Sequence, residues 1–270
     1  MLFLMNADHL EKIGRNGGLM RIKRHGNPGT QEGRRLGGLH SIKTHAKNKS
    51  GFKTLKSTII PRHSARLAEL IGILMGDGHI GLYQASVVTN SDTDFHHALF
   101  IKTLIEGLFK IQVPIYTRRD KKACVVTISS KSVCHFFTTQ GIPKGNKITN
   151  GMNVPRWIKE KASYRKAFVR GLFDTDGCVY IDTHHSGLKT YRNLGMAFAN
   201  QSLPLLSFFK ESLEQFGLHP TQKTKFRVFL RRKEDIQQYF DLIGSSNEKH
   251  SKKFHEYFLI NKVRRGRIEV

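Results

Sequence analysis

The chain's 270 residues suffice for one large domain or for two smaller ones with cores of their own. Lys and Arg number 45 against 21 Asp and Glu, a formal charge of +24 that sets the chain apart from ordinary metabolic enzymes and points to a polyanionic partner, nucleic acid before membrane. No apolar run approaches a transmembrane span, and Cys124, Cys134 and Cys178 are too scattered for a disulfide framework or a zinc site.

We therefore expect reduced core cysteines and an intracellular, non-secreted protein of the cytoplasm, nucleoid or an organelle matrix, since the opening Met-Leu-Phe-Leu-Met is too short for a signal-peptide core. Residues 1–60 carry 12 Lys or Arg, 3 Asp or Glu and 9 Gly with little helical or strand period, which predicts a mostly irregular basic extension. Arg21, Lys23, Arg24, Arg34 and Arg35 alternate there with glycines; such a segment either follows DNA phosphates or serves as a solubilising tail.

From residue 61 the chain runs through one plan twice, as halves 61–160 and 161–270. The first pass predicts a helix over 62–75 ending in Gly76-Asp77-Gly78, strands at 79–83 and 86–89, and a helix over 94–109 with Leu99, Leu104, Leu108 and Phe109 on one face. Strands at 112–118 and 123–129 and a helix at 132–140 complete it. The second pass predicts a helix over 164–173 ending in Asp174-Thr175-Asp176-Gly177, strands near 178–182 and 191–200, a helix over 204–216, strands within 219–231 and a helix over 233–243. Each half reads αββαββα, an α+β fold in tandem pseudo-twofold repeat. The spacing from Asp77 to Lys147 is 70 residues and from Asp176 to Lys249 is 73, the agreement expected of a duplication.

The segments 70–78 (LIGILMGDG) and 169–177 (VRGLFDTDG) place small residues four apart, Gly72 with Gly76 and Gly171 with Thr175, so two helices can meet there backbone to backbone. Gly78 and Gly177 suit left-handed caps. Asp77 and Asp176 stand at the negative end of a helix dipole, where a carboxylate is unfavourable unless something positive, such as a divalent cation, sits beside it.

These paired segments resemble the signature helices of the LAGLIDADG homing endonucleases, single-chain two-motif type, over roughly residue 62 to the C-terminus. The resemblance implies signature helices packed on a pseudo-twofold axis and, in each half, a saddle-shaped antiparallel sheet in the DNA major groove. It also implies metal binding by Asp77 and Asp176, with Gly76 and Thr175 included in the metal set. Mg²⁺ is the expected cofactor, with Mn²⁺ able to substitute. By the same resemblance Asn90 and Asn200 would orient water, and Lys147 and Lys249 would polarise the site. The first motif departs from the pattern with Met75 where an acidic residue often stands; the second keeps Asp174, expected to cap or face solvent.

Lys223, Lys225 and Arg227 alternate with apolar or small residues, so a strand there would present three cations on one face, toward DNA or as guards of an exposed edge. Arg118, Arg119, Lys121 and Lys122 form the comparable cluster, with Arg192 and Arg231 further candidates for DNA contact. Trp157 reads as a packing anchor between halves, and the His96-His97 and His184-His185 pairs as surface histidines. The function expected is hydrolysis of both strands of a long duplex target by a monomer with no membrane partner; the alternatives are an intron RNA maturase and a cleavage-inactive DNA-binding regulator.

Overall fold

The computed structural model describes residues 7–27, 29–48 and 57–266. Two compact units divide the chain, Met1–Leu55 and Lys56–Val270. The first unit is not irregular: it contains α1 (Ala7–His25) and α2 (Gln31–Asn48). Thr30 begins α2 by accepting from Gly33 N through its hydroxyl at 3.0 Å. Gly33 must be glycine, because a Cβ there would lie 1.6 Å from the Asn27 carbonyl oxygen. The sequence hides these helices because apolar residues such as Ile13, Leu19, Leu36 and Ile42 stay exposed and define no buried stripe.

The second unit begins with α3 (Ala65–Asp77), β1 (Gly78–Ile80), β2 (Ala85–Asn90), α4 (Phe95–Phe109), β3 (Ile115–Arg118), β4 (Ala123–Ile128) and α5 (Lys131–Thr139). Two short helices, α6 (Lys147–Asn150) and α7 (Arg156–Glu160), join it to the second pass: α8 (Ala162–Asp176), β5 (Gly177–Ser186), β6 (Lys189–Ala199), α9 (Leu203–Gln215), β7 (Thr221–Thr224), β8 (Arg227–Leu230), α10 (Lys233–Leu242) and α11 (Glu248–Gly266). Both passes have the αββαββα order read from the sequence. Both build a four-stranded antiparallel sheet of one topology, β1-β2-β4-β3 and β5-β6-β8-β7.

The sheets bury one face. In β2 the side chains of Ala85, Val87 and Thr89 turn inward while Ser86, Val88 and Asn90 turn outward, the period-two alternation of a half-buried strand. On the inner faces lie α4 and α9, whose Ile101, Leu104, Ile105 and Phe109, and Leu205, Leu206, Phe208 and Phe209, are buried. Leu99, expected on that stripe, is exposed, and His97, expected at the surface, takes a buried place in the same helix. Cys124 and Cys134 are buried, but Cys178 is exposed because it sits on the outward register of β5. Trp157 stacks on His63 with centroids 4.2 Å apart and donates to Gln140 Oε1 at 2.9 Å, an anchor between segments.

Candidate active site

The site is built on the contact between α3 and α8. Ser64 starts α3 by accepting from Leu67 N at 3.2 Å, and the apolar run that follows is buried from Leu67 to Met75. A Cβ at Gly72 would come within 2.4 Å of the Phe168 carbonyl oxygen, and one at Gly171 within 2.2 Å of that of Glu69. No other residue permits so close a crossing. One turn on, a Cβ at Gly76 would strike Thr175 Oγ1 and would lie 3.2 Å from Asp176 Oδ2, so the two motif ends meet side by side. Glu69 and Arg170 lock the crossing with a bidentate ion pair at 2.8 and 2.6 Å, with Glu69 buried.

Both helices stop at glycine, but not through left-handed caps. Gly78 (φ −79°) and Gly177 (φ −91°) are extended and open β1 and β5 directly. Glycine is required by crowding: a Cβ would lie 2.5 Å from the Leu74 carbonyl oxygen in one case and 2.3 Å from that of Phe173 in the other. The chain thus passes from helix to strand with no intervening loop, and Asp77 and Asp176 sit on that joint.

Burial raises the pKa of both carboxyls. For Asp176 it reaches about 6, through burial first and then through repulsion from Asp77, opposed by a hydrogen bond from Asn200 and the charge of Lys147. For Asp77 burial also dominates, opposed by Lys147 and then Lys249 and reinforced by Asp94. Asn200 Nδ2 donates to Asp176 Oδ2 at 2.7 Å, and its Oδ1 accepts from Ser202 N at 2.7 Å, which fixes the amide. Lys147 Nζ donates to the carbonyl oxygens of Leu74 (3.1 Å), Met75 (3.0 Å) and Gly76, setting a cation on the negative end of α3. Burial lowers the Lys147 pKa, while Asp176 and then Asp77 hold it up.

Lys249 behaves differently. Its Nζ pairs with Asp94 Oδ2 at 3.1 Å, and Asp94 also accepts from Asn247 Nδ2 at 3.1 Å. Asn146 and Asn247 act alike: the first accepts from Ile148 N and Thr149 N at the start of α6, the second from Lys249 N at the start of α11; Lys147 directly follows the first, and Lys249 stands two residues after the second. Asp174, expected to cap or face solvent, is fully enclosed and accepts from the Ser245 hydroxyl and from Ser246 N at 2.9 Å, tying that loop to α8. Its burial pushes its pKa up to about 7.

Asn90 does not occupy the place of Asn200. Gly78 pairs with Val87 and Gly177 with Phe198, so the register equates Asn200 with Thr89, not with Asn90. Asn90 lies one residue on, facing outward, and its Oδ1 accepts from Asp92 N (2.8 Å) and Thr93 N (3.1 Å) in the turn before α4. Thr89 Oγ1 is buried and has no hydrogen-bond partner among the described residues.

The basic residues gather on exposed hairpins. Lys223 is on β7, but Lys225 and Phe226 form the turn and Arg227 begins β8, so these cations surround a hairpin tip and do not share one strand face. Lys225 and Arg227 line an open groove with Gly76, Lys147, Asp176 and Asn200. Arg118 and Lys121 are exposed, Lys122 pairs with Asp92 at 3.2 Å, and the Arg119 side chain lies outside the described residues. Arg192 is half-buried on the long β5–β6 hairpin, and Arg231 lies over the Phe229 ring at 4.9 Å.

Residues 163–257 match the family profile of the LAGLIDADG-like domain, and the duplicated signature helix, sheet and lysine extend that architecture across both halves. Residues 163–257 are thus similar to a LAGLIDADG-like domain. The chain is 26% identical over 200 residues to a replication factor C small subunit of Methanocaldococcus jannaschii, covering 69% of this chain and 10% of that one. It is 24% identical over 203 residues to a tRNA-splicing ligase RtcB of Methanopyrus kandleri, covering 66% and 20%. The chain thus spans a tenth to a fifth of the length of these curated relatives. Among solved structures, a lysine-to-alanine mutant of I-SmaMI shares the fold with a TM-score of 0.51 at 12% identity, covering 72% of this chain and 91% of that one. A looser match is I-DmoI in complex with DNA and Mn, with a TM-score of 0.45 at 18% identity over 67% of this chain and 97% of that one.

The ends of α3 and α8 offer oxygen donors only, which suits a hard divalent cation. The charge of Asp77 helps to raise the Asp176 pKa, so a positive charge beside them would relieve that cost. Among the described residues no group of three or more His, Cys, Asp or Glu is placed to hold a metal, so of such side chains Asp77 and Asp176 are the ones that would hold a cation here. Gly76 offers a carbonyl already engaged by Lys147, and the Thr175 hydroxyl turns back to the carbonyl of Leu172 at 2.9 Å. Among the described residues no helix is long and apolar enough to cross a membrane.

Proposed function

We propose that this protein is a site-specific homing endonuclease that hydrolyses both strands of a long duplex with Mg²⁺, Mn²⁺ substituting, acting as a monomer. The observation that carries this reading is the convergence of Asp77 and Asp176, one from each half, at adjoining helix ends with Lys147 across both and Asn200 fixing the second. A cation held by these carboxylates supplies Lewis-acid polarisation of a phosphate oxygen and lowers the pKa of a water molecule.

The chain's own residues do the rest. Asn200 keeps the Asp176 carboxylate oriented, and water attacks phosphorus in line as the bond to the 3′ oxygen breaks. Lys147 and Lys249 offset the negative charge that develops there. Arg118, Lys121, Arg192, Lys223, Lys225, Arg227 and Arg231, joined by Arg119 and Lys122, bind the duplex, phosphate contacts setting register and base-edge contacts setting sequence. The +24 charge supplies the non-specific attraction.

The test is incubation of the protein, and of an Asp77→Asn, Asp176→Asn double variant, with a random duplex library in Mg²⁺ or chelator, followed by sequencing of cut ends. The expected result is cutting at one sequence class by the unaltered protein in Mg²⁺ alone. Tight duplex binding without cutting at any sequence sinks the nuclease reading in favour of a regulator, and tight binding of structured intron RNA without duplex cutting favours a maturase.

A further inference from the structure

The two lysines at the site each lie just after a helix-starting asparagine, Lys147 one residue after Asn146 and Lys249 two after Asn247, yet their partners differ. Lys147 Nζ bonds only main-chain carbonyls, and among the described residues no carboxylate lies within ion-pair distance of it. Lys249 Nζ is paired to Asp94 at 3.1 Å, with the Asp94 side chain 9% exposed and that of Lys249 36%. The difference comes from one position. Asp94 is the residue that precedes α4, and the residue that precedes its twin α9 is Ser202, which carries no charge.

A lysine neutralised by a carboxylate contributes less field to a phosphate than one resting on carbonyl dipoles, and the carboxylate itself repels that phosphate. We propose that Asp94 is a positioning residue that holds Lys249 back, so that the strand served by Lys249 is cut more slowly than the strand served by Lys147. The inference rests on the nuclease reading above and adds to it an order of strand cleavage written into this chain. Asn247, which donates to Asp94, also donates to the Asp174 carbonyl oxygen at 3.2 Å, so the Asp94–Lys249 pair stands at the end of α8 as Lys147 stands at the end of α3.

The experiment is single-turnover cleavage of a selected target with a different fluorophore on each strand. Lys147→Met and Lys249→Met assign the strands by which scission each slows more. The unaltered protein cuts the Lys147-served strand about threefold faster, the size of effect expected from one part-exposed ion pair. Asp94→Asn, which keeps a partner for Asn247, speeds the slow strand and brings the two rates together, and Asp94→Ser, carrying the residue of the twin position, acts in the same direction. In metal-free protein, mass-spectrometric labelling with an amine-reactive reagent rises at Lys249 in both variants and stays unchanged at Lys147. Equal strand rates in the unaltered protein, or an Asp94→Asn variant that slows the Lys249-served strand or leaves Lys249 labelling unchanged, overturns the inference while the nuclease reading stands. A protein that cuts no duplex overturns both.

Discussion

At Asp176 a single hydrogen bond decides how readily the carboxylate ionises. Burial and the neighbouring Asp77 raise its pKa to about 6, and Asn200 is the largest influence pulling it back. Asn200→Ala removes that donor, so the pKa rises further and Mg²⁺ binding to the free protein, read by isothermal calorimetry, weakens most at pH 6 and least at pH 8; equal weakening at both would show that Asn200 does not act through ionisation. His97 gives a second titration. Burial lowers its pKa to about 4, against 6.5 unfolded, so the unfolded chain binds more protons between those values and His97 costs stability as pH falls through that window. The cost approaches about 3 kcal/mol at pH 4. Urea melts should therefore show a His97→Gln variant losing less stability than the unaltered protein between pH 6.5 and pH 4, and parallel losses would contradict the burial argument. At this scale the sequence conveyed the signature aspartates and lysines because they recur at matched spacings. It misplaced the first asparagine by one residue, since Asn90 and Thr89 differ only in which face of β2 they occupy, and pleat register emerges from pairing with β1. Asp94 was invisible because its partners Asn247 and Lys249 lie more than 150 residues away in the chain.

The crossing of α3 and α8 tests what glycine does in a helix. Alanine is favoured over glycine in a helix interior by about 1 kcal/mol, so an unconstrained Gly171→Ala would stabilise. Here the added Cβ would lie 2.2 Å from the Glu69 carbonyl oxygen, and we expect a net loss of about 2 to 4 kcal/mol in denaturant melts, with the helices forced apart. A neutral or stabilising outcome would mean that the helices do not touch. Breaking the buried pair by Arg170→Met should cost about 3 to 5 kcal/mol, because Glu69 is left charged and enclosed. Element order and the glycine spacing of these helices were legible from periodicity and repetition. The caps were not: a helix followed by glycine reads as a left-handed stop, and only three-dimensional crowding shows why glycine is needed at Gly78 with φ −79°. The Lys223–Arg227 alternation misled in the same way, since it cannot reveal that Lys225 turns a hairpin.

For the whole molecule, charge and duplication together bear on the proposed meeting with DNA. With a surplus of 24 positive charges, duplex affinity should fall steeply with salt, and each phosphate contact removed should lower the log–log slope by about one unit. A Lys225→Ala, Arg227→Ala double variant is expected to reduce that slope by about two units in fluorescence anisotropy titrations, whereas an unchanged slope would place the hairpin off the duplex. The tandem plan was legible from the sequence because both halves repeat element by element. The helices of Met1–Leu55 were not, because a helix with no buried stripe carries no period to read. The backbone contact at Gly72 and Gly171 has one more consequence. It sets the separation of Asp77 and Asp176 independently of the sheets, so under the proposed nuclease reading variation in the hairpins would retarget the protein without changing the stagger between two cuts. On that reading, overhang length should stay constant across every sequence that the protein, or any hairpin variant of it, cleaves.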